Sequence, residues 1–523
     1  MLKKWIGLGL CATICATALV GCSDDTKTAN ENLPKGEVSY PIETEETLTY
    51  WVRLPAALGT SVKNFAETEF AKEYMKRTGI NVNYKHPAAG QESEVLNLLI
   101  ASGDLPDIVE TNWLSRDPDS MISKKTILSL NDYMDNYSPN LKKYLAENTD
   151  IDKQIKTDSG QYYVYPFIRS DDKLLSTSGF MLRADWLKEL NLDVPETMDE
   201  WEHVLLKFKE KCDQPLALNL VGISKFAGAY NTSNDFYLNS NKVVYGPAEQ
   251  GYKEFITKMK KWYDLGIIDI NFAIMEDSLI RANMLDGKSG ATFGSGGGVL
   301  GLYLNSKKET GESYDLTAAP FPVLNKGEKA EFGNKTLEYS AINCAAITAK
   351  SKNPQLAARF LDYAYSEDGY MLNNFGVEGV SYEMVDGKPT YTDIITNNPD
   401  GLAMSQSLPL FVRAANEGPF VQDVRYIEQY YSLPQQQKAL EYWSDNNHKN
   451  HIVPQITLTS EESTEYSSIM NEIETYRDEM TVSFIIGSKP IEEFDSFVKT
   501  LKSMKLERAI EIKQAAVDRF IKR

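Results

Sequence analysis

Seventy-four carboxylates, four histidines and five cysteines are the groups in this chain that could do acid–base, metal or nucleophilic chemistry. Hydrolysis of a glycoside needs two carboxyl groups held in different environments at a defined separation, and among so many acids no pair stands out. His448 and His451 are three residues apart and could share a helix face, but Asn446, Asn447 and Pro454 around them favour a loop. No third ligand is spaced with them, so a metal site is not expected. The run Gly294-Ser295-Gly296-Gly297-Gly298 lacks the Gly-Lys-Ser/Thr ending of a phosphate-binding loop. No serine or cysteine sits in a recognisable nucleophile motif. These patterns single out no catalytic residue, no metal ligand and no cofactor. What they leave is a set of polar and aromatic residues, Trp51, Arg53, Glu110 and Trp113, at or just past the ends of strand-like segments.

The elements that must position those residues follow from periodicity. Leu48 to Val52 is β-branched and aromatic, Ser61 to Lys76 carries Val62, Phe65, Phe70 and Tyr74 near helical spacing, and Ile80, Val82 and Tyr84 alternate. A second helical stripe runs from Glu92 to Ala101, and Asp107 to Glu110 reads as a third strand. A β-α-β-α-β run argues for a parallel sheet covered by helices, with ligands beyond the carboxyl ends of the strands. Further helices are expected over Thr197 to Lys209 and Tyr252 to Tyr263, and two amphipathic helices end the chain from Ile491 and from Leu506. Trp186, Trp201 and Trp262 lie on such helices and are expected in the core.

The chain opens with Lys3 and Lys4, then an uncharged run from Trp5 to Gly21, the pattern of a signal peptide over residues 1 to 21. Leu19-Val20-Gly21-Cys22 resembles the bacterial lipobox, which implies lipidation of Cys22 and anchoring to the outer face of the cell membrane. Residues 22 to 46 are polar and broken by Pro34, Gly36 and Pro41, and read as a tether with a reach of about 25 to 30 Å. The formal net charge of −19 argues against nucleic acid as a partner, because phosphate backbones repel such a surface. After cleavage only Cys212 and Cys344 accompany Cys22, too few for a disulfide framework, and both are expected as free, buried thiols.

Several separated motifs then point to a family. Ala101-Ser102-Gly103-Asp104-Leu105-Pro106-Asp107-Ile108-Val109 resembles a signature of family 1 extracellular solute-binding proteins, the lipoprotein receptors of carbohydrate ABC importers. Leu130-Asn131-Asp132-Tyr133 with Tyr137-Ser138-Pro139-Asn140, Leu182 to Leu187, Gly379 to Tyr382 with Asp386-Gly387, Phe484 to Gly487 and Gln514 to Phe520 are similar to further segments of the large Gram-positive branch. The resemblance implies an α/β, two-lobed, type II periplasmic-binding-protein-like fold with the ligand cleft between the lobes. The expected division is 47–165 in lobe 1, 166–312 in lobe 2, 313–400 mainly a return to lobe 1, and 401–523 mainly lobe 2 with the C-terminal helices. It implies a monomeric, non-enzymatic receptor that binds an oligosaccharide and delivers it to ABC permease subunits. Many relatives carry a calcium-binding loop where Phe208 to Pro215 is short and lacks spaced oxygen ligands, so no calcium is expected there.

A sugar receptor needs flat aromatic faces for the rings and polar groups for the hydroxyls. On that basis Trp51 and Trp113 could line the cleft, Arg53 and Arg169 could pair with a carboxylate or hydroxyl pair, and Glu110 and Glu378 could accept from hydroxyls. Gly294 and Ser295 would let a ligand approach the backbone. For each of these a structural or solvated role is the alternative, and Asp104 and Asp107 read as backbone caps near Pro106. A tethered carbohydrate-active enzyme and a receptor for a peptide or other solute are the competing functions.

Overall fold

The first half of lobe 1 forms as its periodicity requires. Strands Thr47–Trp51, Asn81–Lys85 and Ile108–Thr111 pair in parallel, with Thr47–Trp51 in the middle. Helix Glu69–Thr78 joins the first two, capped by the Thr68 hydroxyl and stopped by Gly79 at φ 74°. There the absent Cβ also lets Ile42 pass, since its carbonyl oxygen would lie 2.2 Å from a methyl group. Helix Glu92–Ser102 joins Asn81–Lys85 to Ile108–Thr111 and ends at Gly103.

The computed structural model describes residues 33–59, 61–310 and 313–523, and so Cys22 and the expected signal peptide lie outside the described residues. Within Pro34–Arg523, one compact unit, two sheets define two lobes. The lobe 1 sheet is completed by Tyr339–Ile347, antiparallel to Ile108–Thr111, then Tyr165–Arg169 and Val421–Gln422. It is therefore mixed rather than all parallel, because the strand that returns from lobe 2 enters from the opposite end. In lobe 2, Ser178–Arg183 lies between Ala291–Ser295 and Leu316–Ala318, both antiparallel to it.

Lobe 2 is mainly helical around a large apolar core. Helix Met198–Phe208 starts with a capping box between Thr197 and Glu200, and its Trp201 meets Phe180 and Phe226, which in turn abuts Trp262. Trp201 and Trp262 are fully buried and Trp186 nearly so. The 27-residue helix Ser460–Ile486 packs on Gln250–Asp264 and on Leu506–Lys522. Its mixed polar sequence gives no clean stripe, since neighbours cover different faces along its length.

The chain crosses between lobes three times. Tyr165–Arg169 is still in the lobe 1 sheet, Leu316–Ala318 is still in lobe 2, and residues 404–431 pack into a lobe 1 cluster with Phe375 and Tyr391. Strand pairing, not a local change in composition, sets these points. The C-terminal helices also reach back to lobe 1: Asp158 receives Arg519 and Arg523, and Ser460 donates to Asp117 at 2.8 Å.

Pro34–Glu46 departs from the tether reading. Tyr40 donates to the Arg359 carbonyl at 2.8 Å and packs on Tyr363, Ile42 N–H donates to Thr78 at 2.8 Å, and Glu46 accepts from Asn353 at 2.9 Å. These contacts seat the segment on lobe 1. Cys344 is buried as expected, whereas Cys212 is only half-buried; burial pushes the two thiols up to about 12 and about 11.

Candidate functional site

Asp107, in the motif near Pro106, is a structural clamp. Its carboxylate accepts from Thr49 N–H at 2.8 Å, Thr49 Oγ1 at 2.7 Å, Ser351 Oγ at 2.7 Å and Lys352 N–H at 3.2 Å. Burial alone would raise this carboxyl, but the four donors hold it below the usual range. The clamp fixes the start of Ile108–Thr111 against Thr47–Trp51, and the residues beyond both strands converge on a niche of about 20 Å³ lined by Arg53, Glu110, Asn343, Arg413, Asn416 and Glu417.

Glu110 in this niche is already engaged. It accepts from Arg413 Nη2 at 2.8 Å and from Tyr50 Oη at 2.6 Å, and burial pushes its carboxyl up. Arg413 also donates to the Glu417 carbonyl at 2.7 Å. Arg169 donates to the Glu417 carboxylate at 2.9 Å and to Thr336 Oγ1 at 3.1 Å, while Asn343, held at φ 55°, donates to the other Glu417 oxygen at 3.1 Å. Burial raises the Glu417 carboxyl, and the charges of Arg169 and the exposed Arg53 oppose that rise. The structure thus brings Arg53, Glu110 and Arg169 near one another, with Glu110 and Arg169 already paired inside the protein. It places Arg413, Asn343 and Glu417 among them, which no sequence signal marked.

The two tryptophans correct the stacking expectation. Trp113 is fully buried with Nε1 donating to Val109 O at 2.9 Å, and Trp51 is 4% exposed. Rings so enclosed offer no face to a sugar. Glu378 is exposed beside the Tyr382–Val385 hairpin and joins none of the niche residues. Gly294 and Ser295 are also employed internally: Val299 fills the space where a Gly294 side chain would be, and Ser295 Oγ accepts from Gly298 N–H at 3.1 Å to cap the π-helical turn Gly296–Gly301. A methyl on Gly296 would lie 2.5 Å from the Tyr431 ring, so that glycine admits a neighbouring tyrosine and not a ligand.

Lobe 2 carries its own recess, a pocket of about 260 Å³ lined by Val221, Lys225, Asn334, Asp235, Phe332 and His448 among others. Lys225 Nζ donates to Asn334 Oδ1 at 2.8 Å and lies 5.7 Å from the centre of the Phe293 ring. Burial, with His451, Lys225 and Lys335 nearby, pushes His448 down to about 4. His451 is held by Leu238 O at 2.9 Å and Glu331 at 3.1 Å. The segment Phe332–Glu338 links the two recesses: Asn334 lines the lobe 2 pocket, and two residues later Thr336 binds Arg169 at the lobe 1 niche. Asn334 and Thr336 therefore tie this crossing segment to both recesses.

Two α/β lobes, joined by three crossings and carrying polar recesses beside a crossing segment, define a two-lobed solute-binding protein. The chain belongs to the bacterial extracellular solute-binding protein family, whose sequence profile matches residues 59–371. It is 24% identical to the fructooligosaccharide ABC transporter substrate-binding protein FusA of Streptococcus pneumoniae, over 97% of each chain. It is 23% identical to the polygalacturonan/rhamnogalacturonan-binding protein YtcQ of Bacillus subtilis, over 83% of this chain and 84% of that protein. Among solved structures, the alginate-binding protein AlgQ2 without calcium ion superposes with a TM-score of 0.71 at 23% identity, covering 92% of this chain and all of that one. These likenesses agree with the expected periplasmic-binding-protein-like fold.

At the short segment after Phe208, Lys209 Nζ donates to Leu265 O at 2.6 Å and Cys212 N–H to Phe208 O at 3.1 Å. Among the described residues no group of three or more His, Cys, Asp or Glu side chains is placed to hold a metal ion. No helix among them is long and apolar enough to cross a membrane.

Proposed function

We propose that this chain is a lipid-anchored receptor that captures an oligosaccharide between its lobes and presents it to the permease of an ABC importer. The observation that carries the reading is the pair of polar recesses, one per lobe, at the two ends of the Phe332–Glu338 crossing. A ligand long enough to touch both binds well only when the lobes meet, so it draws the hinge equilibrium to the closed state by that difference in affinity. The permease then has a liganded shape to recognise. Relatives named for fructooligosaccharide and polygalacturonan binding support sugar as the solute class. The lipobox-like Cys22 supports the anchor, and the chain works as a monomer on the membrane's outer face.

A thermal-shift screen of the chain from Ser23 onward, against neutral and acidic oligosaccharides with a peptide mixture alongside, tests the reading. At about 100 times its dissociation constant a ligand adds about 2.7 kcal/mol of stability. A shift with one glycan class and no cleavage product by chromatography is expected. A response to peptides alone, or release of product, would replace the reading with a peptide receptor or an enzyme.

A further inference from the structure

Several partly buried lysines in this chain are matched to acids: Lys156 to Asp152, Lys258 to Asp199 and Glu202, Lys335 to Asp172. Lys225 is not. Among the described residues its ammonium meets no carboxylate; its partners are the Asn334 amide oxygen at 2.8 Å and the Phe293 ring at 5.7 Å. Burial pushes this ammonium down with no neighbouring charge to support it.

The surroundings reinforce the imbalance. His448, whose Nδ1 is buried without a partner, faces both Lys225 and Lys335. The one acid lining the pocket, Asp235, turns Oδ1 back to Phe236 N–H at 2.6 Å, and its charge acts on Tyr245, Tyr466 and Lys513. In lobe 1, Arg169 is neutralised by Glu417, which also feels Arg53. A partly buried cation without a counter-ion is destabilising, and an incoming anion relieves that cost. Thr232, Ser233 and Asn234 add polar groups to the wall, and the exposed Val221 adds an apolar one.

We propose that the lobe 2 pocket receives the carboxylate of an acidic sugar unit, with Lys225 as its counter-ion, so that the captured oligosaccharide is of uronate type. This rests on the oligosaccharide reading above and names its substrate class.

Isothermal titration calorimetry of the folded chain from Ser23 onward would compare short oligogalacturonates and oligoalginates, their methyl esters, and the neutral trisaccharide kestose. An acidic series binding at least about tenfold more tightly than its methyl ester is expected, since a charge-assisted hydrogen bond is at stake. Lys225→Met should abolish that preference and Lys225→Arg should keep most of it. The unliganded Lys225→Met chain should melt close to the parent, because loss of the Asn334 hydrogen bond is offset by removal of a charge that has no counter-ion. Equal binding of acid and ester, a preference that survives Lys225→Met, or binding of kestose alone would overturn the inference while leaving the receptor reading standing. Binding of no glycan, acidic or neutral, would overturn both.

Discussion

Removing the Glu110 carboxylate should unfold lobe 1 far more readily than removing a surface acid. Glu110 and Arg413 are each nearly excluded from solvent, with side chains 2% and 8% exposed, and they are paired at 2.8 Å. In Glu110→Ala the guanidinium keeps the Glu417 carbonyl as an acceptor but loses its counter-charge, and Tyr50 Oη loses its acceptor. Breaking a buried pair from one side costs about 3 to 5 kcal/mol. Glu110→Gln keeps the volume and an acceptor for one of the two donors, so about 1 to 3 kcal/mol is expected. Adding Arg413→Met to Glu110→Ala removes the stranded charge and leaves an unbranched apolar chain against the Phe65 ring, which Arg413 now covers at 5.2 Å. The double variant should therefore recover a substantial part of the loss. Urea unfolding of the parent, Glu110→Ala, Arg413→Met and the double variant closes a double-mutant cycle and gives the coupling directly. A cost below about 1 kcal/mol for Glu110→Ala, or a double variant no more stable than the single, would refute the buried pair and return Glu110 to the solvated carboxylate that its sequence context favoured.

Asp107→Ala should cost about 2 to 4 kcal/mol, measured by thermal or urea unfolding, because four donors lose one ionised acceptor; since the fold holds this carboxyl below its ordinary range, its contribution is present at neutral pH and fades as pH falls through the folded value. His448 has the same sign for a different reason: the fold favours the neutral ring, so that preference is complete above about 6.5 and is lost as pH falls through about 4, an effect of up to about 3 kcal/mol. Melting temperatures of Asp107→Asn and His448→Gln followed from pH 7 to pH 4 should each fall less steeply than the parent, and parallel curves would contradict the assignment. Gly296→Ala should cost about 1 to 3 kcal/mol by pressing on the Tyr431 ring, and Tyr431→Leu in the same chain should relieve it; an unchanged melting temperature for Gly296→Ala would show that the turn yields.

Much of this was legible in the chain. The β-α-β-α-β opening is written in alternating and helical apolar spacing, and its strands Thr47–Trp51, Asn81–Lys85 and Ile108–Thr111 fall where that spacing put them. Asp107 near Pro106 reads as a local cap, yet its donors Thr49, Ser351 and Lys352 lie 58, 244 and 245 positions away, so its part as a clamp between segments was not visible. The burial of Trp201 and Trp262 follows from amphipathic faces. Trp51 and Trp113 show the limit of the same reasoning. Their place at strand ends suggested an open cleft wall, yet a strand end is covered or exposed according to what packs there from elsewhere in the chain.

The amino-acid sequence by itself determined the elements, the apolar faces they bury, the motifs that carry the family resemblance and the strong negative charge, because each depends on residues within a few turns of one another or on composition alone. Tertiary structure alone decided the site. Glu110 meets Arg413 from 303 positions away, and Lys225 meets Asn334 from 109. Those encounters depend on a strand order that inserts Tyr339–Ile347 between Ile108–Thr111 and Tyr165–Arg169. Whether a given arginine or lysine finds a counter-ion there is settled by the packing of whole lobes, and nothing in its local sequence records it.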